Sequence, residues 1–415
     1  MIRLGAPLEF WRAFAAAQNP DAAASRVTNI AAVRRLLLLV CVVVFVETML
    51  YSALVPLLPG YTHEFGLSKS AAGLLVGAYA AGAVLGALPG GIAAARYGPR
   101  RALLIGLLLM GVASLAFGFA ADAWTLGGAR LAQGLGGSLA WAGALTWLIA
   151  GTPRTRRGEM LGTAIGSAIF GALLGPAIGA LAHHVGPRPV FVGLAGLSAI
   201  LGGWALRTPP ADAEPPRRGA IVGALRDQQV LGALWLMTIP ALVFGVVGVL
   251  APLALDQAGW SAAAIAVAWI ASAAIEMLIA PWIGRVSDRR GRLLPLRVAL
   301  GGAVVVLVAF SIADRPAAVV PILVLSGITF GAFWAPAMAL LSDAAERIGL
   351  AQGLGFGLMN AAWGGGNALG PPVGGALADA AGDALPYALA AVICAGTLLF
   401  VLFSGTRDLR VPENP

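Results

Sequence analysis

The chain has 415 residues, of which 59% are hydrophobic and 11% are charged, whereas a soluble domain carries about 25% charged residues. No water-soluble core of this length exposes so little polar surface, so the composition excludes a soluble enzyme or binding module and places the chain in a bilayer. Lys69 is the only lysine and follows Ser68, which excludes the Gly-Lys phosphate loop of an ATP-driven pump and leaves a gradient, or nothing, as the energy source.

Residues 1–33 include Glu9, Arg12 and Asp21 ahead of any long apolar run. They lack the short apolar core of a signal peptide and are expected to form a cytoplasmic segment. Within it, Leu8 to Phe14 could lie on the membrane surface as an amphipathic helix. Apolar stretches then follow at 35–58, 70–94, 102–120, 124–150, 159–182, 189–206, 230–254, 261–283, 293–312, 316–341, 350–377 and 385–404. Each is close to the roughly 20 residues that cross a ~30 Å hydrocarbon core. The fold class expected is therefore all-α integral membrane, with 12 transmembrane helices. Cys41 and Cys394 both lie inside these stretches, so no disulfide framework is expected.

The arginines orient the chain. With the N-terminus in the cytoplasm, 23 of the 27 Lys and Arg fall on cytoplasmic segments. Only Lys69, Arg188 and Arg315 fall outside, and Arg130 lies within a helix. That bias is the positive-inside rule, and it explains the net charge of +8 without nucleic acid. High Ala, Gly and Arg with a single Lys points to a GC-rich bacterial genome, hence to a bacterial cytoplasmic (inner) membrane with both termini inside. Residues 207–229, with Pro209-Pro210 and Pro215-Pro216, read as a cytoplasmic linker between a bundle at 34–206 and a second at 230–404. Residues 405–415 form a cytoplasmic tail.

The halves repeat. Gly91 to Arg101 aligns with Gly284 to Leu294, as do Gly134 and Trp141 with Gly327 and Trp334; Gly175-Pro176 aligns with Gly370-Pro371 at nearly the same offset. Six helices return the chain to its starting side, so the repeat is parallel. Such two-half transporters bind substrate near the midplane between the halves.

The same anchors carry a family resemblance. Gly284-Arg285-Val286-Ser287-Asp288-Arg289-Arg290-Gly291-Arg292 resembles the G-x-x-x-D-R-x-G-R signature of the major facilitator superfamily. The first copy keeps Gly91, Gly98 and Arg100 but has Ala95 at the aspartate position, so Asp288 is expected to carry more of the cytoplasmic lock that this signature implies. Arg130-Leu131-Ala132-Gln133-Gly134 resembles the R-x-x-Q-G signature of that superfamily. Gly171, Gly175, Pro176 and Gly179 resemble the G-x-x-x-G-P-x-x-G antiporter motif, and Pro56-Leu57-Leu58-Pro59 closes the first helix much as in the twelve-span drug:proton antiporters. The resemblance implies two six-helix bundles, alternating access, a monomer, no cofactor and export. It implies conformational roles for Gly91, Gly98, Arg100, Gly171, Gly175, Pro176, Gly179, Gly284, Asp288, Arg289, Gly291, Arg292, Gly370 and Pro371.

Glycines at i,i+4 spacing allow close backbone approach in lipid. Pro176 and Pro371 interrupt helix hydrogen bonding. Together they mark pliable helices at the seam between halves, or tight packing alone.

Three ionisable groups fall inside spans, where insertion costs at least ~2.5–3.5 kcal/mol: Glu47, Arg130 and Glu276. Glu47 lies roughly 18 Å along the helix from Arg35, and Glu276 roughly 13 Å from Arg285, at ~1.5 Å per residue. Desolvation disfavours a charged carboxyl, so such a group can exchange protons near neutral pH. Glu47 is the best candidate for proton and cation, held in turn; the other reading is a permanent ion pair with Arg130. Glu276 is a second proton-coupling candidate, or the partner of a basic loop residue. The resemblance gives Arg130 a coupling role, against packing and ion pairing. The repeat counterparts of Glu47, Glu276 and Arg130 are Pro240, Ala83 and Leu323, so the scaffold repeats and the charges do not.

Tyr51, Trp141, Thr238, Trp334, Asn360 and Trp363, with Glu47, are candidate substrate contacts. Aromatic rings beside a carboxylate suit an amphiphilic organic cation. Each ring taken singly also fits a core or lipid-facing role. His63, His183 and His184 read as solvated loop residues with no metal, and Asp122, Asp256 and Asp379 as water-facing helix ends. These features point to a proton-coupled exporter of small amphiphilic or cationic compounds. An importer or facilitator of a small metabolite is the rival, and a membrane enzyme or sensor on a transporter scaffold is the different-class alternative.

Overall fold

A computed structural model describes residues 20–153, 156–210, 220–313, 315–350 and 352–404. Twelve long helices run through them: α1 (Pro20–Ser52), α2 (Lys69–Tyr97), α3 (Pro99–Gly118), α4 (Ala123–Ala150), α5 (Arg157–Val185), α6 (Pro187–Arg207), α7 (Gln228–Gln257), α8 (Ala262–Arg290), α9 (Leu293–Ser311), α10 (Pro316–Arg347), α11 (Gln352–Ala381) and α12 (Ala384–Ser404). Short helices Leu58–Phe65 and Ala220–Ala224 lie between them. Each expected span falls on one long helix. By length and composition, nine are apolar enough to cross a membrane. The remaining three, α1, α4 and α11, carry Glu47, Arg130 and Asn360 with Asn367. Leu108, Leu278, Val298, Val305 and Phe403 stand exposed on the outside, a surface that suits lipid rather than water.

The first helix differs from expectation at both ends, and α8 and α10 run on to Arg290 and Arg347, past the expected 283 and 341. The first helix begins at Pro20, inside residues 1–33, which were expected to form a cytoplasmic N-terminal segment. It stops at Ser52, not 58, because Pro56 has no N–H to continue the ladder. The chain turns through 53–57 and restarts at Leu58, with Pro59 in the first turn, where a missing N–H costs little. Residues 1–19, including Leu8 to Phe14, lie outside the described residues, as do 211–219 of the linker and 405–415.

The helix neighbours obey the repeat. In the N-terminal half α2 packs on α4, α3 on α4 and α6, and α1 on α5; in the C-terminal half α8 packs on α10, α9 on α10 and α12, and α7 on α11. Across the halves α2 meets α11 and α5 meets α8, again as a related pair. The caps repeat too: Ser68 accepts from Ala71 N, and Ser261 from Ala264 N. Gly98 and Gly291, both expected to take part in gating, form one-residue breaks before α3 and near the start of α9, with φ of 91° and 85°. A side chain is strained there, which explains a glycine at each. Gly186 and Gly382 have φ of 92° and 84° before α6 and α12. Each half therefore has the same left-handed glycine before its third and its sixth helix, and in the N-terminal half the sequence marks both with Gly-Pro-Arg, at 98–100 and 186–188.

Candidate functional site

Glu47, Tyr79 and Arg130 meet where α1, α2 and α4 converge. Glu47 is half-buried, and its Oε1 accepts a hydrogen bond from the Tyr79 hydroxyl at 2.8 Å. Arg130 is buried. Its guanidinium donates to the carbonyls of Leu50 and Tyr51, each at 3.0 Å, and to Gln133 Oε1 at 3.3 Å. It also lies 4.6 Å from the centre of the Tyr79 ring. Gln133 donates onward to Ser114 Oγ at 3.2 Å. Arg130 thus donates from its two terminal nitrogens to carbonyls and to Gln133, its buried Nε has no hydrogen-bond partner among the described residues, and it forms no ion pair there with Glu47.

The cluster reaches the other half through Tyr51. Its hydroxyl donates to Asn367 Oδ1 of α11 at 2.8 Å, and its ring lies 4.9 Å from that of Trp363 in an edge arrangement. Asn367 is buried and donates from Nδ2 to the Trp363 carbonyl at 3.3 Å. A carboxylate, two phenols and an indole from both halves thus share one site, a combination able to hold a proton or a cation.

The structure brings together Glu47, Tyr51, Arg130 and Trp363 of the expected residues. Glu276 stands apart at the middle of α8, packed on Gly331 of α10, with no hydrogen bond or ion pair among the described residues. Trp141 lies eleven residues beyond Arg130 on α4, about 16 Å along the axis, and its buried Nε1 has no hydrogen-bond partner among the described residues. Thr238 donates to Leu234 O of its own helix at 2.9 Å. Trp334 packs on the core from α10, and Asn360 is half-buried two turns before Asn367. Sequence reasoning missed Tyr79, Ser114, Gly137 and Asn367 as a connected set. The available signal was a lone tyrosine within the Gly- and Ala-rich run of α2.

The expected gating residues divide. Gly171, Gly175 and Gly179 face Phe45, Met49 and Ser52 of α1 and Ala53 just past its end, within their own half rather than across the seam. Their stripe serves backbone contact there: Thr48 and Ser52 donate to the carbonyls of Ala168 and Ala172 at 2.7 and 2.9 Å. Pro176 is buried in α5, and Gly370 packs on Leu242 of α7, the related arrangement. Pro371 does reach the seam, where its carbonyl meets Gly73 of α2. Asp288 pairs with Arg292 of the same signature, and Arg292 also reaches Asp343 at 3.4 Å. Arg100 donates to Thr208 O at 3.3 Å. Arg289 is exposed, and a side chain at Gly91 or Gly284 would meet open space.

The two ends of the bundle differ. At the arginine-poor end Lys69 of α2 pairs with Asp383, and Asp379 of α11 accepts from the backbone N–H of Lys69 and Ser70 at 3.1 and 2.8 Å. His63 meets Asp256 at 2.7 Å. Asp379 is exposed and Asp256 half-buried, and besides facing water both bridge the halves. His63 and Asp256 are separated by the repeat offset of 193, and repeat-related positions can touch only near the pseudo-two-fold axis. At the arginine-rich end the ion pairs Arg347–Asp227 and Arg292–Asp343 stay within the C-terminal half, and Arg156–Glu159 within the N-terminal half. Among the described residues no ion pair joins the halves there.

The family model of the Major Facilitator Superfamily matches residues 40–356. A chloramphenicol resistance protein of Streptomyces lividans is 28% identical over 326 residues, covering 72% of this chain and 81% of that protein. A probable vesicular acetylcholine transporter-B of Danio rerio is 32% identical over 172 residues, covering 39% of this chain and only 35% of its own length. The fold matches that of the E. coli xylose transporter XylE with a TM-score of 0.70 at 14% identity, covering 91% of this chain and all of that one. The chain belongs to the major facilitator superfamily: it is a multi-pass membrane transporter and not an enzyme.

Proposed function

We propose that this transporter exchanges protons for small amphiphilic or cationic compounds and exports them by alternating access. The observation that carries this reading is the half-buried carboxylate of Glu47, hydrogen-bonded by Tyr79, free of an ion-pair partner among the described residues, and adjoining Tyr51 and Trp363 from opposite halves. A carboxylate in such a place binds a proton or an organic cation but not both comfortably, which is a physical basis for exchange. Glu276 is proposed as a second proton-linked group in the other half. The arginine bias supports an arginine-rich end in the cytoplasm, hence a site closed toward the outside by Lys69, Asp379 and Asp383. Similarity to a resistance protein supports export, because a transporter can protect a cell by carrying a drug out. The fold shared with a xylose transporter keeps a second reading in view, import of a small metabolite.

The test uses inverted vesicles holding an acidic interior reported by a pH dye. Tetraphenylphosphonium, chloramphenicol and 4-hydroxybenzoate serve as cationic, neutral and anionic probes. Dissipation of the gradient by the cation in the wild type, and not in Glu47→Gln, is the expected result. If no probe dissipates it while the protein is present and folded, export by proton exchange is wrong.

A further inference from the structure

From the geometry we infer that Tyr79 is a positioning residue that keeps Glu47 and Arg130 out of a direct ion pair, so that the carboxylate stays free to take up a proton. The inference rests on reading Glu47 as the proton-carrying group. Tyr79 is fully buried, and its two ends do different things. The hydroxyl donates to Glu47 Oε1, while the ring face lies beneath the Arg130 guanidinium. Each charge therefore has its own support from one side chain. A direct guanidinium–carboxylate pair in a medium of low dielectric would hold the carboxylate charged and close it to protons.

The neighbourhood is built around this phenol. A Cβ at Gly137 would lie 2.9 Å from Glu47 Oε1 and 3.0 Å from the Tyr79 hydroxyl, so a larger residue on α4 would push the pair apart. The charged and titratable groups facing Glu47 are Arg130 from α4, Tyr79 from α2 and Tyr51 on α1 itself; α5 meets this stretch of α1 with Gly171 and Gly175, and α11 contributes Asn367 and Trp363 to Tyr51. No second carboxylate competes among the described residues. The related place in the other half, at an offset of 193, holds Ser272 for Tyr79 and Leu323 for Arg130, with Ser272 Oγ donating to Leu323 O at 2.9 Å. The crossing of helices is the same there, and no ring is needed where no charges must be kept apart.

The proton step is simple in balance. Glu47 Oε2, which has no hydrogen-bond partner among the described residues, forms the new O–H bond, and Oε1 keeps the hydrogen bond from Tyr79; no other bond breaks. The test is infrared titration of purified protein in lipid nanodiscs, with the protonated-carboxyl band of Glu47 assigned by its loss in Glu47→Gln. It needs no substrate, so it stands or falls separately from the vesicle experiment. Tyr79→Phe keeps the ring and removes one hydrogen bond to the carboxylate. Protonation should then set in about one pH unit higher. Tyr79→Leu removes the ring, lets the guanidinium reach Glu47, and should abolish the band across the range in which the wild type shows it. Both variants are compared at matched monodispersity. Titration of both as in the wild type would overturn the inference, as would loss of the band in Tyr79→Phe.

Discussion

In the N-terminal half, α2 and α4 cross where Gly134 meets the backbone of Tyr79; in the C-terminal half, α8 and α10 cross where Gly327 meets the backbone of Ser272. The backbone contacts are the same, and the side chains around them are not. One crossing carries Tyr79 and Arg130 beside Glu47, and the other carries Ser272 and Leu323, with Pro240 as the counterpart of Glu47. The repeated glycines answer the need of all close helix pairs in lipid, which is backbone approach without bulk. On the proposed reading the unrepeated side chains serve proton exchange, Glu47 with Tyr79 and Arg130 in one half and Glu276, one turn beyond Ser272, alone in the other.

The comparison breaks most severely at the glycines. In Gly134→Val and Gly327→Val a new Cβ would overlap the facing backbone, and backbone cannot swing aside as a side chain does. Each change should cost about 3 kcal/mol or more, read as a loss of monodisperse protein by size-exclusion chromatography. Equal damage in both halves would show that this part of the scaffold is symmetric in energy as well as in shape.

A second comparison separates chemistry from packing. Glu47→Gln should fold and lose all proton-linked flux, whereas Ser272→Ala should retain flux and lose about 1 kcal/mol of stability with its single hydrogen bond to Leu323 O. Thermal unfolding beside vesicle flux distinguishes the two effects. If Ser272→Ala silenced transport, the halves would be chemically more alike than their residues indicate.

Smaller effects belong to the ends. Lys69→Ala removes a partly exposed ion pair across the halves, worth about 1 kcal/mol at most. It should raise the labelling rate of a cysteine placed at the arginine-poor end by up to about fivefold, while a cysteine at the other end is unaffected. Asp227 caps α7, accepting from Gln229 N at 3.1 Å and Val230 N at 3.0 Å, and accepts from Arg347 at 2.5 Å. The Arg347 hydrogen bond holds its carboxyl below the usual carboxylate range. Its contribution is thus complete at neutral pH and is lost as pH falls through that lowered value. Asp227→Asn keeps a good cap but loses the charge facing Arg347, and should cost up to about 1 kcal/mol at pH 7, with a smaller difference in melting temperature in acid.

Much of the fold was legible because the bilayer permits so few solutions. Apolar runs of the right length, arginines on alternate connections and glycines at one offset each constrain the same twelve helices. The site was legible only in pieces. Glu47 and Arg130 stand out as charges in lipid, but nothing in a one-dimensional pattern shows that a ring lies between them. Tyr79 sits in a run of small residues that packs on α4, and its role depends on a crossing angle. The sequence leaves both readings of the α5 glycines open for a related reason: the spacing of Gly171, Gly175 and Gly179 shows that a helix approaches closely, not which helix, and the helix is α1 of the same half. Asp256 and Asp379 looked like ordinary hydrated helix ends because their partners, His63 and the N-terminus of α2, belong to the other half.

The central claim is that Glu47 exchanges a proton for an organic cation. The most direct measurement adds tetraphenylphosphonium to purified protein in lightly buffered nanodiscs containing a pH indicator, with binding followed in parallel. Proton release on binding by the wild type, absent in Glu47→Gln, is the predicted result. Binding without proton release, or undiminished release in Glu47→Gln, would contradict it.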